Sequence, residues 1–277
     1  MSPSFIVLTD FFTVYPQALA YTTGLAAAQQ ARVVLLHVCQ DGLHGPGERG
    51  TPRTEWNKRQ KQREFMQLTT GQPSPTELVV SEEFFPDAVQ QTVLAHQGQL
   101  LVLGQPGAAE QPVEIAAGTA QQLLAMALCP VLVVPNAAEG NAPVAAVPRR
   151  LLLAVDGAPF DLHPLPDHVR QLLASPQATL DAVFIPDGKP ARPDAITVLS
   201  TIRLDDAVPA MPLSRLHVHH APDVAAGILA EAKRLRADML VVVARQHSLV
   251  GSLFHSSITA RLLEQSPIPV LALPARD

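Results

Sequence analysis

The strongest constraint on the fold of this chain is an internal repeat. The apolar, strand-length run PSFIVLTD at residues 3–10 ends in an acid, and RRLLLAVD at residues 149–156 does the same. Four more pairs follow in the same order in both halves: ARVVLLHV and ATLDAVFI, TELVVSEEFFPDAV and RLHVHHAPDVAAG, LLVLG and LVVVA, and CPVLVVP and IPVLALP. Five paired segments in one order predict two copies of a single structural unit.

Each half alternates predicted strands and helices. Continuous runs of Val, Ile and Leu are typical of parallel strands that are buried on both faces. In the first intervening stretch, five residues share one face at helical spacing: Tyr15, Leu19, Thr22, Leu25 and Ala26. Such alternation predicts right-handed crossovers. We therefore predict an α/β fold with two tandem domains, each a five-stranded parallel sheet with helices on both faces.

Proline-containing segments mark the expected boundaries. The stretch AAEGNAPVAAVP at residues 137–148 separates the last predicted strand of the first half from the first strand of the second. We predict domains at residues 1–138 and 149–277, with a linker at about 139–148.

Two Pro-Asp dipeptides predict helix starts. Proline suits a first helical turn because its missing N–H would be unsatisfied there, and a following Asp complements the helix dipole. We therefore place Pro86 and Pro222 in first helical turns, followed by Asp87 and Asp223. A further short helix is predicted at residues 195–204.

The composition excludes several classes of partner. The chain has 277 residues, a net charge of −5 and 4% aromatic residues, whereas nucleic-acid binders rely on cationic contacts to phosphate and on aromatic stacking. Two cysteines, Cys39 and Cys129, are too few for a disulfide framework or a four-cysteine zinc site. The start of the sequence lacks a basic signal-peptide region, and no apolar stretch approaches the ~18 residues of a membrane span. We expect a soluble, cytoplasmic protein that binds neither nucleic acid nor membrane.

Glycines follow the fourth predicted strand of the first half. Open parallel sheets bind ligands beyond the carboxyl ends of their strands, where the strand order reverses. Gly104 and Gly107 lie there, followed by Gly118 and Thr119, which we expect to open a helix. Glycines let backbone N–H groups approach a phosphate, and a helix N-terminus adds donors. The pattern fits a nucleotide site, but ordinary turns also need glycine.

The repeat and its glycines resemble the universal stress protein family over nearly the whole chain. The most specific segments are FIVLTD, VVLLHV, LLVLGQPG and AGTAQQLLAMALCPVLVVP in the first half, and LLLAVDG and MLVVVARQHSLVGSLFHSSITARLLEQSPIPVLALP in the second. The resemblance implies tandem Rossmann-like domains of the adenine-nucleotide-hydrolase-like type that pair through their last strands. In members that bind ATP, it implies adenosine near the strand-end Asp and the second-strand backbone, with the phosphates in the glycine loop.

In the first half, the resemblance assigns six nucleotide-site positions: Asp10, Val38, Gly104, Gly107, Gly118 and Thr119. Ten residues separate Gly107 from Gly118, one more than in the family pattern, and Pro112 and Glu114 lie among them. A carboxylate is unfavourable near a polyphosphate unless a metal or solvent intervenes. We expect no cofactor, with ATP or AMP in this half as the alternative.

In the second half, only Asp156 and Ser257 match the family pattern. Ala244, His247 and Ser256 stand at the glycine positions, and the second interval is shortened to eight residues. Side chains at these positions narrow the space that phosphates need. We predict that this half is a degenerate counterpart that binds no nucleotide.

Other candidate sites are weaker. In a strand, His217 and His219 share one face and His220 points away. No acidic residue has an assured position beside them, so we predict strand-end histidines and no metal site. No G-x-G-x-x-G follows the first predicted strand of either half, where TDFFTVYP and VDGAPFDL stand, and the chain has no G-x-x-x-x-G-K-[ST] or G-x-S-x-G motif. We predict no catalytic residues.

Three functional hypotheses follow. The leading one is a non-catalytic stress-response module of two fused domains that acts in sensing or interaction. The alternative is an ATP- or AMP-binding regulator that uses the first half, with slow ATP hydrolysis, and the third is an enzyme on the same fold. We expect the halves to pair as a pseudo-dimer through Val131–Val134 and Val270–Leu273, because pairing two apolar edges satisfies their backbone groups. A homodimer and an unidentified protein are the further partners considered.

Overall fold

Two runs of parallel strands, one from each half, form the framework of the fold. The computed structural model describes residues 3–9, 15–38, 65, 70–105, 114–126, 128–135, 147–186, 194–202, 210–245 and 257–276. Several predictions lie outside these ranges, namely those for Cys39, Asp10, Gly107, His247, Ser256 and most of the linker.

The first half forms a doubly wound sheet. Its strands are β1 (Ser4–Thr9), β2 (Arg32–Val38), β3 (Thr76–Ser81), β4 (Gly98–Gly104) and β5 (Val131–Val134). Its helices are α1 (Tyr15–Ala28), α2 (Phe85–His96) and α3 (Glu114–Met126). The strands are parallel in the order β3-β2-β1-β4-β5. The order reverses between β1 and β4, where such sheets bind ligands.

The second half repeats this order with one addition. Its strands are β6 (Arg150–Val155), β7 (Asp161–Leu162), β8 (Thr179–Phe184), β9 (Leu216–Val218), β10 (Met239–Arg245) and β11 (Val270–Arg276). Its helices are α4 (Asp167–Leu173), α5 (Ala195–Thr201), α6 (Val224–Leu235) and α7 (Ile258–Gln265), with a 3₁₀ turn at Leu213–Arg215. The parallel order is β9-β8-β6-β10-β11.

The extra strand departs from the predicted five per half. The short strand β7 pairs antiparallel with the end of β11, where Leu162 lies opposite Ala275. Pro274 has no N–H to donate, but its carbonyl accepts from the backbone N–H of His163 at 3.2 Å. Two residues are too few to show the apolar periodicity on which a strand prediction depends.

An antiparallel pairing of β5 with β11 joins the two runs of strands. Val133 lies opposite Val270, Leu132 opposite Leu271, and Val131 opposite Ala272. The described strands of both halves therefore belong to one continuous sheet.

Two layers of apolar side chains cover the two faces of this sheet. Alternate residues of each strand enter opposite layers: Leu132 and Leu271 pack in one, whereas Val131 and Ala272 pack in the other. Each layer contains residues of both halves, so the core is continuous across the pairing of β5 with β11. Helix α1 contributes Leu19, Thr22, Leu25 and Ala26, which are buried as predicted.

The two Pro-Asp dipeptides occupy different positions. Pro86 and Asp87 lie in the first turn of α2, as predicted. The prediction is wrong for Pro222, which precedes α6, because Asp223 is the N-cap and accepts from the N–H of Ala226 at 3.0 Å. Arg261 on α7 donates to the other oxygen of Asp223 at 2.6 Å. These hydrogen bonds, that of Arg261 first, hold the pKa of Asp223 below its ordinary value.

In the described part of the chain, none of the helices has the length and apolar character that a membrane crossing requires.

Candidate functional site

The carboxyl ends of β1, β2 and β4 form the predicted ligand edge of the first half. Val38 ends β2 and is buried, and Gly104 ends β4. Between them, the hydroxyl of Thr9 lies 2.8 Å from Nδ1 of His37. The sequence analysis missed this polar pair. A polar residue near the end of each of the two apolar strands could have indicated it. The edge thus brings Val38 and Gly104 to either side of β1.

Gln105, directly after Gly104, contacts the second half. Its backbone N–H donates to the carbonyl of Val134 at 2.7 Å, and its side-chain amide donates to the carbonyl of Glu264 in α7. The residue is buried. Its side chain is therefore engaged between the halves at the position where a phosphate-binding loop would begin.

Gly118 and Thr119 do not open a helix, contrary to the prediction. Helix α3 begins at Glu114, so both residues lie in its second turn and their N–H groups face carbonyls of the turn before. The free N–H groups of this helix belong to residues 114–117 instead. A Cβ at Gly118 would meet no atom within 4 Å, so packing does not require a glycine there.

In the second half, an arginine spans the equivalent edge. Arg245 ends β10, and its guanidinium donates to both carboxylate oxygens of Asp156 at 3.0 Å. It also donates to the carbonyls of Ala158 and Pro159 at 2.9 and 2.8 Å. The Arg245 side chain is 14% exposed. The guanidinium therefore binds the candidate residue Asp156 through two parallel hydrogen bonds, which is a stronger pairing than a single hydrogen bond.

Arg245 is a residue that the sequence analysis missed. It follows Ala244, which is fully buried in β10 and pairs with Pro274. The turn after β6 holds Asp156 beside Arg245. In this turn Gly157 has a φ of +78°, a conformation that favours glycine, and the Asp156 carboxylate accepts from the N–H of Ala158 at 3.0 Å. The space between β6 and β10, where the strand order reverses, thus holds a guanidinium.

Ser257 directly precedes α7, and its hydroxyl has a structural role. It is the N-cap of α7, and its Oγ accepts from the N–H of Ala260 at 3.1 Å. This hydrogen bond satisfies one of the free donors of the helix end.

We expect Ser257→Ala to lower the free energy of unfolding by about 1 kcal/mol, because the N–H of Ala260 loses its partner. Urea denaturation of the full chain measures the change. Ser257→Asp, which keeps an acceptor oxygen at the N-cap, is the matched control and should stay close to the unsubstituted protein. Equal stability of the alanine variant would contradict the capping role.

The histidines of the second half have acidic neighbours. His217 and His219 contact the carboxylate of Glu231 on α6 at 3.3 and 3.1 Å, and His217 also lies 3.4 Å from Asp181. The carboxylate of Glu231 is buried, and hydrogen bonds, that of Arg234 first, lower its pKa to about 2. Two acidic residues, whose positions the sequence did not assure, thus lie beside these histidines.

Cys129 belongs to the apolar core. It is a free, buried cysteine in the core that packs behind β5. Burial raises the pKa of its thiol to about 12, so the reactive thiolate is suppressed near neutral pH.

Comparison with known proteins agrees with the repeat. The profile of the Universal stress protein family matches residues 1–135 and again residues 148–274. A search of curated proteins gave no match.

Several solved structures share the fold. A universal stress protein from Archaeoglobus fulgidus DSM 4304 is 14% identical with a TM-score of 0.62, and the alignment covers 97% of each chain. A functionally unknown protein from Pseudomonas aeruginosa PAO1 is 17% identical with a TM-score of 0.54, covering 98% of this chain and 92% of that one. The cytoplasmic domain of a prokaryotic cation chloride cotransporter is 11% identical with a TM-score of 0.50, covering 99% and 96%.

The two profile matches, the repeated strand order and these structures lead to one assignment. The chain belongs to the universal stress protein family, as a tandem member with two copies of the family's α/β unit.

Proposed function

We propose that this chain is a non-catalytic stress-response module that acts in sensing or interaction, and that its second half has lost nucleotide binding. The loss of nucleotide binding is inferred from the Arg245–Asp156 pair. The guanidinium lies where the strand order reverses and binds the carboxylate that would otherwise contact a nucleoside. Displacing Arg245 would also break its hydrogen bonds to two backbone carbonyls. A nucleotide would have to replace all of these contacts.

We further propose that the two halves act together as a pseudo-dimer, which the pairing of β5 with β11 supports. The two halves form a pseudo-dimer, so the chain supplies within itself the strand pairing that two separate copies would otherwise make. Two cysteines and a buried free thiol suit a reducing compartment, and we propose that the module acts in the cytoplasm.

The alternative is an ATP- or AMP-binding regulator that uses the first half, with slow hydrolysis. Two observations favour nucleotide binding in the first half: Val38 and Gly104 flank the end of β1, and the space around Gly118 is open. Against it, Gln105 is engaged with α7, and the N–H groups of Gly118 and Thr119 lie inside a helix. We expect ATP binding in this half to be weak or absent.

Calorimetric titration of the full chain with ATP and with AMP tests both functions. We expect no second equivalent of nucleotide and a first-half Kd no tighter than about 1 mM, which corresponds to about −4 kcal/mol. Phosphate release measured on the same samples checks for hydrolysis.

Two variants locate any binding that is seen. Gly118→Val adds side-chain bulk where the protein leaves room, so it should abolish a first-half site, whereas Arg245→Ala changes only the second half. Micromolar binding that disappears in Gly118→Val would establish the alternative. Two equivalents in the unsubstituted chain would refute the proposed loss.

A further inference from the structure

We propose that His217, His219 and Glu231 bind a divalent transition-metal ion of the Zn²⁺ class at the outer edge of the second half. The proposal is independent of nucleotide binding, since this edge is three strands from β10, where Arg245 lies. It departs from the sequence-based expectation that no metal site is present.

The fold brings the three ligands together from two elements. In the described part of the chain, β9 is the outermost strand and pairs with β8. His217 lies in β9 and His219 follows it in line, so both project from the same face. Glu231 lies on α6, which packs against β6 and β8, and its carboxylate faces the two imidazoles. The Glu231 carboxylate of α6 thus contacts both histidines at the edge strand β9.

The distances among the ligand atoms suit a small cation. Nδ1 of His217 lies 3.3 Å from Oε1 of Glu231, and Nε2 of His219 lies 3.1 Å from Oε2. One ligand atom from each residue lies within 4.8 Å of the others. With bonds of about 2.0–2.1 Å, neighbouring ligands of a tetrahedral zinc ion lie about 3.3–3.4 Å apart. Small shifts of the side chains would therefore complete three of the four positions and leave one for water.

Asp181 provides the support that metal-binding histidines commonly have. Its Oδ1 lies 3.4 Å from Nε2 of His217. With a zinc ion on Nδ1, the atom that faces Glu231, Nε2 would carry the ring proton and face the Asp181 carboxylate. A carboxylate behind the distal nitrogen orients the ring and raises its basicity as a ligand. Asp181 is therefore a positioning residue.

Arg234 marks the place that a cation would take. Its guanidinium donates to both oxygens of Glu231 at 2.6 and 2.7 Å, and it lies 3.2 Å from Nδ1 of His217. Two of the three proposed ligands, Glu231 and His217, thus already contact a positive charge. The Arg234 side chain is 56% exposed, so it can turn into solvent when an ion enters. Metal and guanidinium compete for one site.

A purely structural ion-pair network is the competing explanation, and the variants separate the two. A structural network predicts that losing Arg234 leaves zinc affinity unchanged. A metal site predicts that losing Arg234 strengthens zinc binding, because a competing cation is gone. Imidazole and carboxylate together favour zinc over magnesium or calcium.

The experiment titrates the chelator-treated full chain with ZnCl₂ by calorimetry and records the visible spectrum with Co²⁺ as a substitute ion. We expect one zinc per chain, at least ~tenfold weaker binding in His219→Ala and about tenfold tighter binding in Arg234→Met. The matched control is His220→Ala, which changes the neighbouring exposed histidine and should bind as the unsubstituted chain does. His219 and Arg234 are both largely exposed, so these variants should fold.

Absence of zinc binding in both the unsubstituted chain and Arg234→Met would overturn the proposal. So would equal affinity in His219→Ala and the unsubstituted chain, which would indicate adventitious binding by surface histidines. Unchanged or weaker affinity in Arg234→Met would also overturn the proposal, because unchanged affinity is the result that a structural ion-pair network predicts.

Discussion

Leu271→Ala is expected to lower the free energy of unfolding by about 2–5 kcal/mol, the usual range for a buried leucine. Leu271 is fully buried and lies opposite Leu132 across the pairing of β5 with β11. Because both layers of the core contain residues of both halves, the loss should be shared by the whole chain in one cooperative transition.

Urea denaturation followed by circular dichroism, together with amide hydrogen exchange resolved for each half, measures this effect. Leu94→Ala is the matched control, because Leu94 is 70% exposed on α2 and its loss should change stability by no more than ~0.5 kcal/mol. If only the second half lost protection, the two halves would be independently stable units.

Phe5→Ala is expected to cost about 3–5 kcal/mol, the range for a buried aromatic residue. Phe5 is 1% exposed in β1, and its ring meets that of His168 edge-on, with centroids 5.7 Å apart and planes at 89°. His168 belongs to α4 in the second half, and its backbone N–H donates to the side chain of Gln99 in the first. The substitution therefore removes core volume and a contact between the halves.

A double-mutant cycle with His168→Ala separates these two parts, and an aromatic pair of this geometry should contribute about 0.5–1.5 kcal/mol of coupling. Phe84→Ala is the control, since Phe84 is 75% exposed. Strictly additive effects of the Phe5 and His168 substitutions would show that the ring contact does not link the halves energetically.

The position of the strands was predictable because burial on both faces leaves a direct trace in the sequence. Strands β1 and β6 consist mainly of apolar residues, and they are the two copies of one strand in the internal repeat. The face of α1 was predictable for a similar reason, as Leu19 and Leu25 recur at helical spacing and are buried.

Helix starts were harder, because one local pattern is compatible with two structures. A Pro-Asp dipeptide lies inside the first turn of α2 but precedes α6, where Asp223 caps the helix. Asp223 also accepts from Arg261, a contact from another helix that the local sequence does not reveal. Likewise, Gly118 lies in a segment with the glycines of a phosphate-binding loop, but the helix already begins at Glu114, four residues before it.

The candidate sites depend on contacts between distant residues. Arg245 and Asp156 are 89 positions apart, and only the strand order brings the ends of β10 and β6 together. The histidines stand out in the sequence, but Glu231 resembles any charged residue of an amphipathic helix until α6 is packed on the sheet.

The pairing of β5 with β11 within one chain has a consequence for how the two halves can differ. A homodimer dissociates on dilution and carries every substitution twice, once in each copy. Here the partner edge is tethered, so its local concentration does not depend on how much protein is present. Equivalent positions can therefore hold unlike residues: after β4 the chain has Gln105, which reaches across to α7, whereas β10 ends in Arg245, which turns back onto its own half. The covalent link therefore allows the two equivalent edges to differ in sequence and in their contacts, which a symmetric homodimer does not allow.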